Sequence, residues 1–243
     1  MSEVQVRQML LRECCVSGIG GTRVTLCRFE IARSDDEASF TSPGERLYFL
    51  LDAHGSLSVR AAGACWKYQL APNMVVWMPQ ALEHAFHSVG DAPLRGIMFE
   101  ATLDALTPTS AVRQDTPPIV AHLYEFPQRS MVTFLTRTVF RNAHPERGVL
   151  SLSEVQTVLP GGHVPLHTHE ARIEMCYVLC GSGILTRQDE MQAVCAGEAV
   201  LIPSNVAHSM ANENEEVLEY GIAQFVDDEG SSPGPAMRKE GRP

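Results

Sequence analysis

Short runs of β-branched, aromatic and aliphatic residues recur along most of the chain, each soon broken by Gly, Pro, Asn or Asp. They include Arg23–Ile31, Leu47–Leu51, Leu57–Arg60, Met74–Met78, Leu94–Phe99, Met131–Phe140, Ser151–Leu159, Met175–Cys180, Ala199–Pro203 and Glu219–Phe225. Many short strands at close, even spacing predict an all-β sandwich or barrel. Helical periodicity is confined to Ser2–Glu13 and Thr102–Leu106, where short helices are expected. No strand–helix–strand alternation appears, which argues against a nucleotide-binding α/β fold.

The strand pattern occurs twice. Glu45-Arg-Leu-Tyr-Phe-Leu-Leu is echoed by Glu174-Met-Cys-Tyr-Val-Leu-Cys, and Val75-Val-Trp-Met-Pro79 through His84 by Ala199-Val-Leu-Ile-Pro203 through His208. Two similar β-units account for most of the chain, as a tandem duplication would. The expected division is a first barrel over 1–106, a Pro-rich linker over 107–127, a second barrel over 128–226, and a disordered Gly/Pro-rich tail over 227–243.

Composition narrows the function classes. A formal charge of −10, with 29 acids against 19 bases, repels phosphate backbones, and no basic stripe offsets it. Nucleic acid is therefore not an expected partner. No apolar run approaches the ~20 residues of a membrane-spanning helix. The amino terminus lacks the features of a signal peptide, the 7 cysteines are odd in number, and no CxxC occurs. Reduced thiols and a cytoplasmic location are expected.

The densest chemistry lies between Gly161 and Gly181. His167 and His169 are one residue apart, so on an extended strand both imidazoles point the same way. Glu174 opens the next strand and can return a carboxylate to that face, and His208 on a later hairpin is a candidate fourth group. Three imidazoles and a carboxylate suit Fe(II), Mn(II), Ni(II), Cu(II), Co(II) or Zn(II) better than magnesium or calcium. Arg172 shares the parity of Glu174 and Gln156 lies on the preceding strand; both are candidate substrate-binding residues. No general base is identifiable.

The spacing Gly161-x5-His167-x-His169-x4-Glu174-x6-Gly181 resembles the first motif of the cupin superfamily. Gly197-x5-Pro203-x-Asn205-x2-His208-x3-Asn212 resembles the second, with Asn205 where the family has glycine. The resemblance implies two small jelly-roll barrels, a bicupin, with one divalent metal, Fe(II) or Mn(II) foremost, held by His167, His169, Glu174 and His208. Glu45 and His84 then occupy the positions of Glu174 and His208 in the first barrel. That barrel has no paired histidines, so its site is expected to be empty, with Glu45 and His84 hydrogen-bonded as a remnant pair.

The same resemblance implies a metal-dependent enzyme acting on a small oxygen-chelating metabolite, with oxygenation the first reaction to consider. Three histidines and one glutamate are similar to the sites of quercetinases, acireductone dioxygenases and manganese-dependent oxalate-degrading enzymes. A ureidoglycine-aminohydrolase-like hydrolase or an isomerase is the second reading, although that hydrolase family carries a different ligand set. A non-catalytic small-molecule-binding cupin is the third. A homodimer is the oligomeric state the resemblance suggests.

Overall fold

A computed structural model of the chain describes residues 3–6, 9–19, 22–32, 38–41, 44–52, 54–61, 63–80, 82–103, 117–142 and 149–226. The tail 227–243 and the Pro-rich stretch 107–116 lie outside the described residues.

The first half contributes β1 (Glu3–Val6), β2 (Met9–Ile19), β3 (Thr22–Ile31), β4 (Ala38–Phe40), β5 (Glu45–Asp52), β6 (His54–Ala61), β7 (Ala64–Leu70), β8 (Met74–Met78), β9 (Glu83–Val89), β10 (Leu94–Leu103) and β11 (Ile119–His122). The second contributes β12 (Gln128–Ser130), β13 (Phe134–Arg141), β14 (Leu150–Val158), β15 (His163–His167), β16 (Arg172–Cys180), β17 (Ser182–Arg187), β18 (Glu190–Cys195), β19 (Ala199–Ile202), β20 (His208–Ala211) and β21 (Leu218–Val226). A 3-10 turn at Leu123–Glu125 is the one helical element among the described residues.

Each half is a barrel of two antiparallel sheets. In the first, β1-β2-β3-β10-β5-β8-β11 faces β4-β9-β6-β7; in the second, β12-β13-β14-β21-β16-β19 faces β15-β20-β17-β18. The fold is all-β, two tandem jelly-roll barrels. Residues alternate across each strand, so the large sheets are apolar on both faces. In β5, Leu47 and Phe49 join a core shared with the second barrel, whereas Tyr48 and Leu50 face their own interior. In β16, Met175 and Tyr177 enter the shared core, whereas Cys176 and Val178 face inward. This inward set is the one that alternation from Glu174 predicts.

Arg28 and Glu45 make polar links between the barrels. Arg28 on β3 donates from Nε to the Tyr177 hydroxyl at 2.8 Å and from Nη2 to the Gly197 carbonyl. Glu45, at the head of β5, shares the parity of Leu47 and so faces the second barrel. Its buried Oε2 accepts the backbone N–H groups of Val149 at 2.6 Å and Leu150 at 2.7 Å. Burial pushes its carboxyl above the ordinary value, against the opposing pull of these two hydrogen bonds.

Several expectations change. The helix expected over Ser2–Glu13 is strand where described: β2 pairs antiparallel with β3 from Met9↔Ile31 to Ile19↔Thr22. Pairing with a sheet edge outweighs the local periodicity. Thr102 and Leu103, expected to begin a helix, end β10 opposite Arg23 and Thr22, and the rest of that helix lies outside the described residues. Within the expected linker, Ile119–His122 pairs with Met74–Trp77 as an edge strand of the first barrel. Leu123 behind it is buried in the shared core, so apolar burial there outweighs the polar, Pro-rich composition.

Candidate metal centre

β15 ends at His167, opposite His208 at the start of β20, so sheet pairing alone brings these two side chains together. The turn after β15 carries His169, and Asn205 ties it down by donating its N–H to the His169 carbonyl at 3.0 Å. Asn205 does so with φ of 62°, a left-handed conformation asparagine tolerates, so the absence of glycine there does not alter the turn. Glu174 enters from β16 in the facing sheet.

The three imidazoles each offer a nitrogen within 4.8 Å of the other two. His167 Nδ1 lies 2.8 Å from the Pro165 carbonyl, and His208 Nδ1 lies 2.9 Å from that of Val206. A carbonyl only accepts, so each Nδ1 carries the proton and each Nε2 keeps its lone pair. His208 Nε2 is buried without a hydrogen-bond partner, 3.5 Å from Glu174 Oε1, which is an electrostatic contact only. Glu174 Oε2 lies 3.0 Å from His169 Nε2.

Burial alone would raise the Glu174 pKa, but the neighbouring His169 and His208 imidazoles outweigh it and hold the carboxyl well below its usual range. Burial lowers the pKa of His167, reinforced by the two neighbouring imidazoles. For His208 the Glu174 carboxylate overcomes the effect of burial and raises it. An ionised buried carboxylate beside lone-pair nitrogens, one of them orphaned, fits a divalent cation of the borderline class. Among the described residues, His167, His169 and His208 with Glu174 could hold it.

The other sequence candidates separate. Gln156 faces inward and lines a cavity of about 10 Å³, room for a single water, together with His167, Glu174, Cys176, His208, Met210 and Tyr220. Arg172 is exposed at the head of β16 and lies outside the lining of that cavity. Cys176 Sγ sits 3.4 Å from Glu174 Oε1, and burial pushes its thiol up, so it stays protonated.

Gln224, which sequence reasoning missed, lies directly opposite Glu174 on β21. Its Nε2 donates to Glu174 Oε2 at 2.8 Å and lies 3.0 Å from His169 Nε2. Fixing one carboxylate oxygen leaves the other for a metal, the usual service of a residue behind a ligand. Its signal was inward parity on the final strand, which carries no motif.

The first barrel corrects the expected equivalence. Arg46 pairs with Met78 as Glu174 pairs with Ile202, and Glu100 lies opposite Arg46 as Gln224 does opposite Glu174. Arg46, not Glu45, therefore stands where Glu174 does. Phe40 lies opposite His84 as His167 does opposite His208. Arg46 Nε donates to Glu100 Oε1 at 3.1 Å, and the Tyr48 hydroxyl meets His84 Nε2 at 2.8 Å. A guanidinium thus supplies the internal cation, and the expected Glu45–His84 pair does not form, because Glu45 faces the other barrel.

Burial lowers the His84 pKa from 6.5 to about 4. A depressed imidazole pKa means the unfolded chain takes the proton first, so stability present above pH 6.5 is lost as pH falls toward 4. Between pH 7 and 4 the protein is expected to lose about 3 kcal/mol more than a His84→Gln variant. Urea denaturation of both at the two pH values checks this; equal losses would contradict it.

Comparison with known proteins follows the same geometry. Residues 154–223 match the family model for the cupin domain (Cupin_2). The oxalate-binding protein of Thermotoga maritima is 33% identical over 61 residues, which cover 25% of this chain and half of that protein's length. Among solved structures, oxalate decarboxylase from Bacillus subtilis at pH 4.6 superposes with a TM-score of 0.69 at 11% identity, covering 93% of this chain and 74% of that one. The Lactobacillus farciminis oxalate decarboxylase formate complex gives 0.68 at 12% identity, covering 93% and 86%. These similarities concern the fold. No described helix is long and apolar enough to cross a membrane.

Proposed function

We propose that this chain, which belongs to the cupin superfamily and carries two of its barrels, holds one divalent metal at His167, His169, Glu174 and His208. There it binds, and acts on, a small acid that chelates through oxygen. The observation that carries this reading is the cluster of three imidazoles, each offering a nitrogen within 4.8 Å of the others, two of which, His169 and His208, lie 3.0 and 3.5 Å from the buried carboxylate of Glu174. Four protein ligands leave two positions of an octahedral sphere, the number a bidentate acid occupies. When bound, the metal supplies Lewis acidity or a redox electron.

The chain's own residues do the rest. Gln224 keeps Glu174 oriented, the Pro165 and Val206 carbonyls fix the imidazole tautomers, and Val164, Leu185, Ile202 and Met210 supply the apolar part of the inner lining. The relatives named for oxalate binding and oxalate decarboxylation support a small dicarboxylate as the ligand class. Oxygenation remains a second reaction open to the same residues.

Oxalate titrated calorimetrically into Mn(II)-loaded protein tests the reading. Binding is expected with metal and not after chelation. Carbon dioxide release without oxygen uptake would mark a lyase, oxygen uptake an oxygenase, and binding without turnover a sensor or carrier. Oxalate binding that is indifferent to metal would overturn the proposal.

A further inference from the structure

The two barrels provide an internal control for the pocket. Equivalent positions in register hold Phe29, Tyr48 and Phe86 in the first barrel and Gln156, Cys176 and Met210 in the second. In the first, the three rings pack together, with centroids 5.7, 5.9 and 4.9 Å apart. In the second, all three residues line the small cavity beside the histidines. Smaller side chains open that space, and one of them is polar and held from behind.

The Tyr220 hydroxyl donates to Gln156 Oε1 at 2.7 Å, and Gln156 Nε2 donates to Glu154 Oε2 at 3.3 Å. Glu154 also accepts from Thr138 Oγ1 at 2.9 Å and Thr136 Oγ1 at 3.2 Å. An ionised carboxylate only accepts, so the Gln156 amide cannot invert without turning its oxygen against Glu154. The first barrel has no such chain: Cys27, Phe29 and Gly96 stand where Glu154, Gln156 and Tyr220 do. Gln156 Nε2 has a second hydrogen with no acceptor among the described residues, and the Tyr220 oxygen keeps a lone pair.

We infer that Gln156 and Tyr220 recognise a single oxygen atom in this cavity, from water or from a bound small acid, and that Glu154 is the positioning residue that fixes the amide. The donor–acceptor pair selects an oxygen ligand over an apolar group of the same size, because a buried amide hydrogen left unmade is costly. The inference deepens the proposed metal site but rests on it only in the experiment's oxalate arm.

High-resolution crystal structures of wild type and Glu154→Gln, each prepared metal-free, with Mn(II), and with Mn(II) and oxalate, provide the test. In wild type an oxygen is expected within hydrogen-bond distance of both Gln156 Nε2 and the Tyr220 hydroxyl. In Glu154→Gln, whose amide can turn either end toward Gln156, that oxygen is expected to fall to partial occupancy, with melting temperature and metal content unchanged, which a merely structural role would not produce. Density continuous with oxalate identifies a ligand oxygen, and separate density a water. Should Glu154→Gln fail to fold, Gln156→Leu must dry the cavity instead. An empty wild-type cavity, or full occupancy in the variants, overturns the inference. Failure to take up Mn(II) would defeat the proposed function, while the metal-free crystals still decide the cavity.

Discussion

The His169→Ala variant is expected to purify without metal under conditions that leave about one equivalent in wild type, and to lose metal-dependent oxalate binding with it. His169 meets Glu174 Oε2 at 3.0 Å and belongs to the trio of imidazoles within 4.8 Å of one another. Removing one ligand of four should weaken retention by more than about 100-fold, beyond the 10–100-fold cost of losing a residue behind a ligand. The side chain is only partly buried, so little core is lost. Thermal melts should show this directly. Metal should raise the melting temperature of wild type but not of the variant, because only a ligand bound by the folded state stabilises it. Stripped of metal, the two proteins should melt together. A His84→Ala variant should keep its metal, since His84 faces Tyr48 and the Arg46–Glu100 pair lies beside it in the first barrel.

Glu45→Leu carries the second large effect. It would leave the N–H groups of Val149 and Leu150 buried without their acceptor. Each such loss costs on the order of 1–3 kcal/mol, so a destabilisation of about 3 kcal/mol is expected, or about 9 °C in melting temperature for a chain of this size. Glu45→Gln keeps a carbonyl for both donors and should stay within about 1 kcal/mol of wild type. The pH dependence has a definite sign. The folded-state pKa is raised, so the carboxyl's contribution is complete at low pH and declines as pH climbs through the raised value. Glu45→Gln should remove that decline. A Leu variant as stable as the Gln variant would mean the contact between the barrels is energetically idle.

The candidate metal-holding groups of the second barrel could be picked out of the sequence because their geometry is local. A one-residue spacing on a strand places His167 and His169 together, and two short motifs carry all four candidate groups. Glu154, Tyr220 and Gln224 were not legible, because they reach the pocket through pairing between β14, β21 and β16, far apart in the chain. The repeat misled in one instructive respect. Matching letters placed Glu45 on Glu174 and Tyr48 on Tyr177, whereas strand register places Arg46 on Glu174 and Tyr48 on Cys176. A slip of one residue reverses the facing of every side chain on a strand. It turned an interfacial clamp into an imagined metal remnant and hid the guanidinium that occupies the site. The β2 region misled differently: its short apolar period fits a turn of helix, and only the ladder to β3 decides for strand. Strands such as β18, largely exposed on a sheet edge, offered no apolar run to find.

Metal per chain, by plasma mass spectrometry on protein purified without chelator and then titrated with Mn(II) and Fe(II), tests the central claim most directly. One equivalent, lost in His169→Ala and retained in His84→Ala, is the predicted result. Two equivalents would show that the Arg46 barrel binds metal as well. None, with no uptake on titration, would contradict the metal site and leave His167, His169, Glu174 and His208 as a hydrogen-bonded pocket.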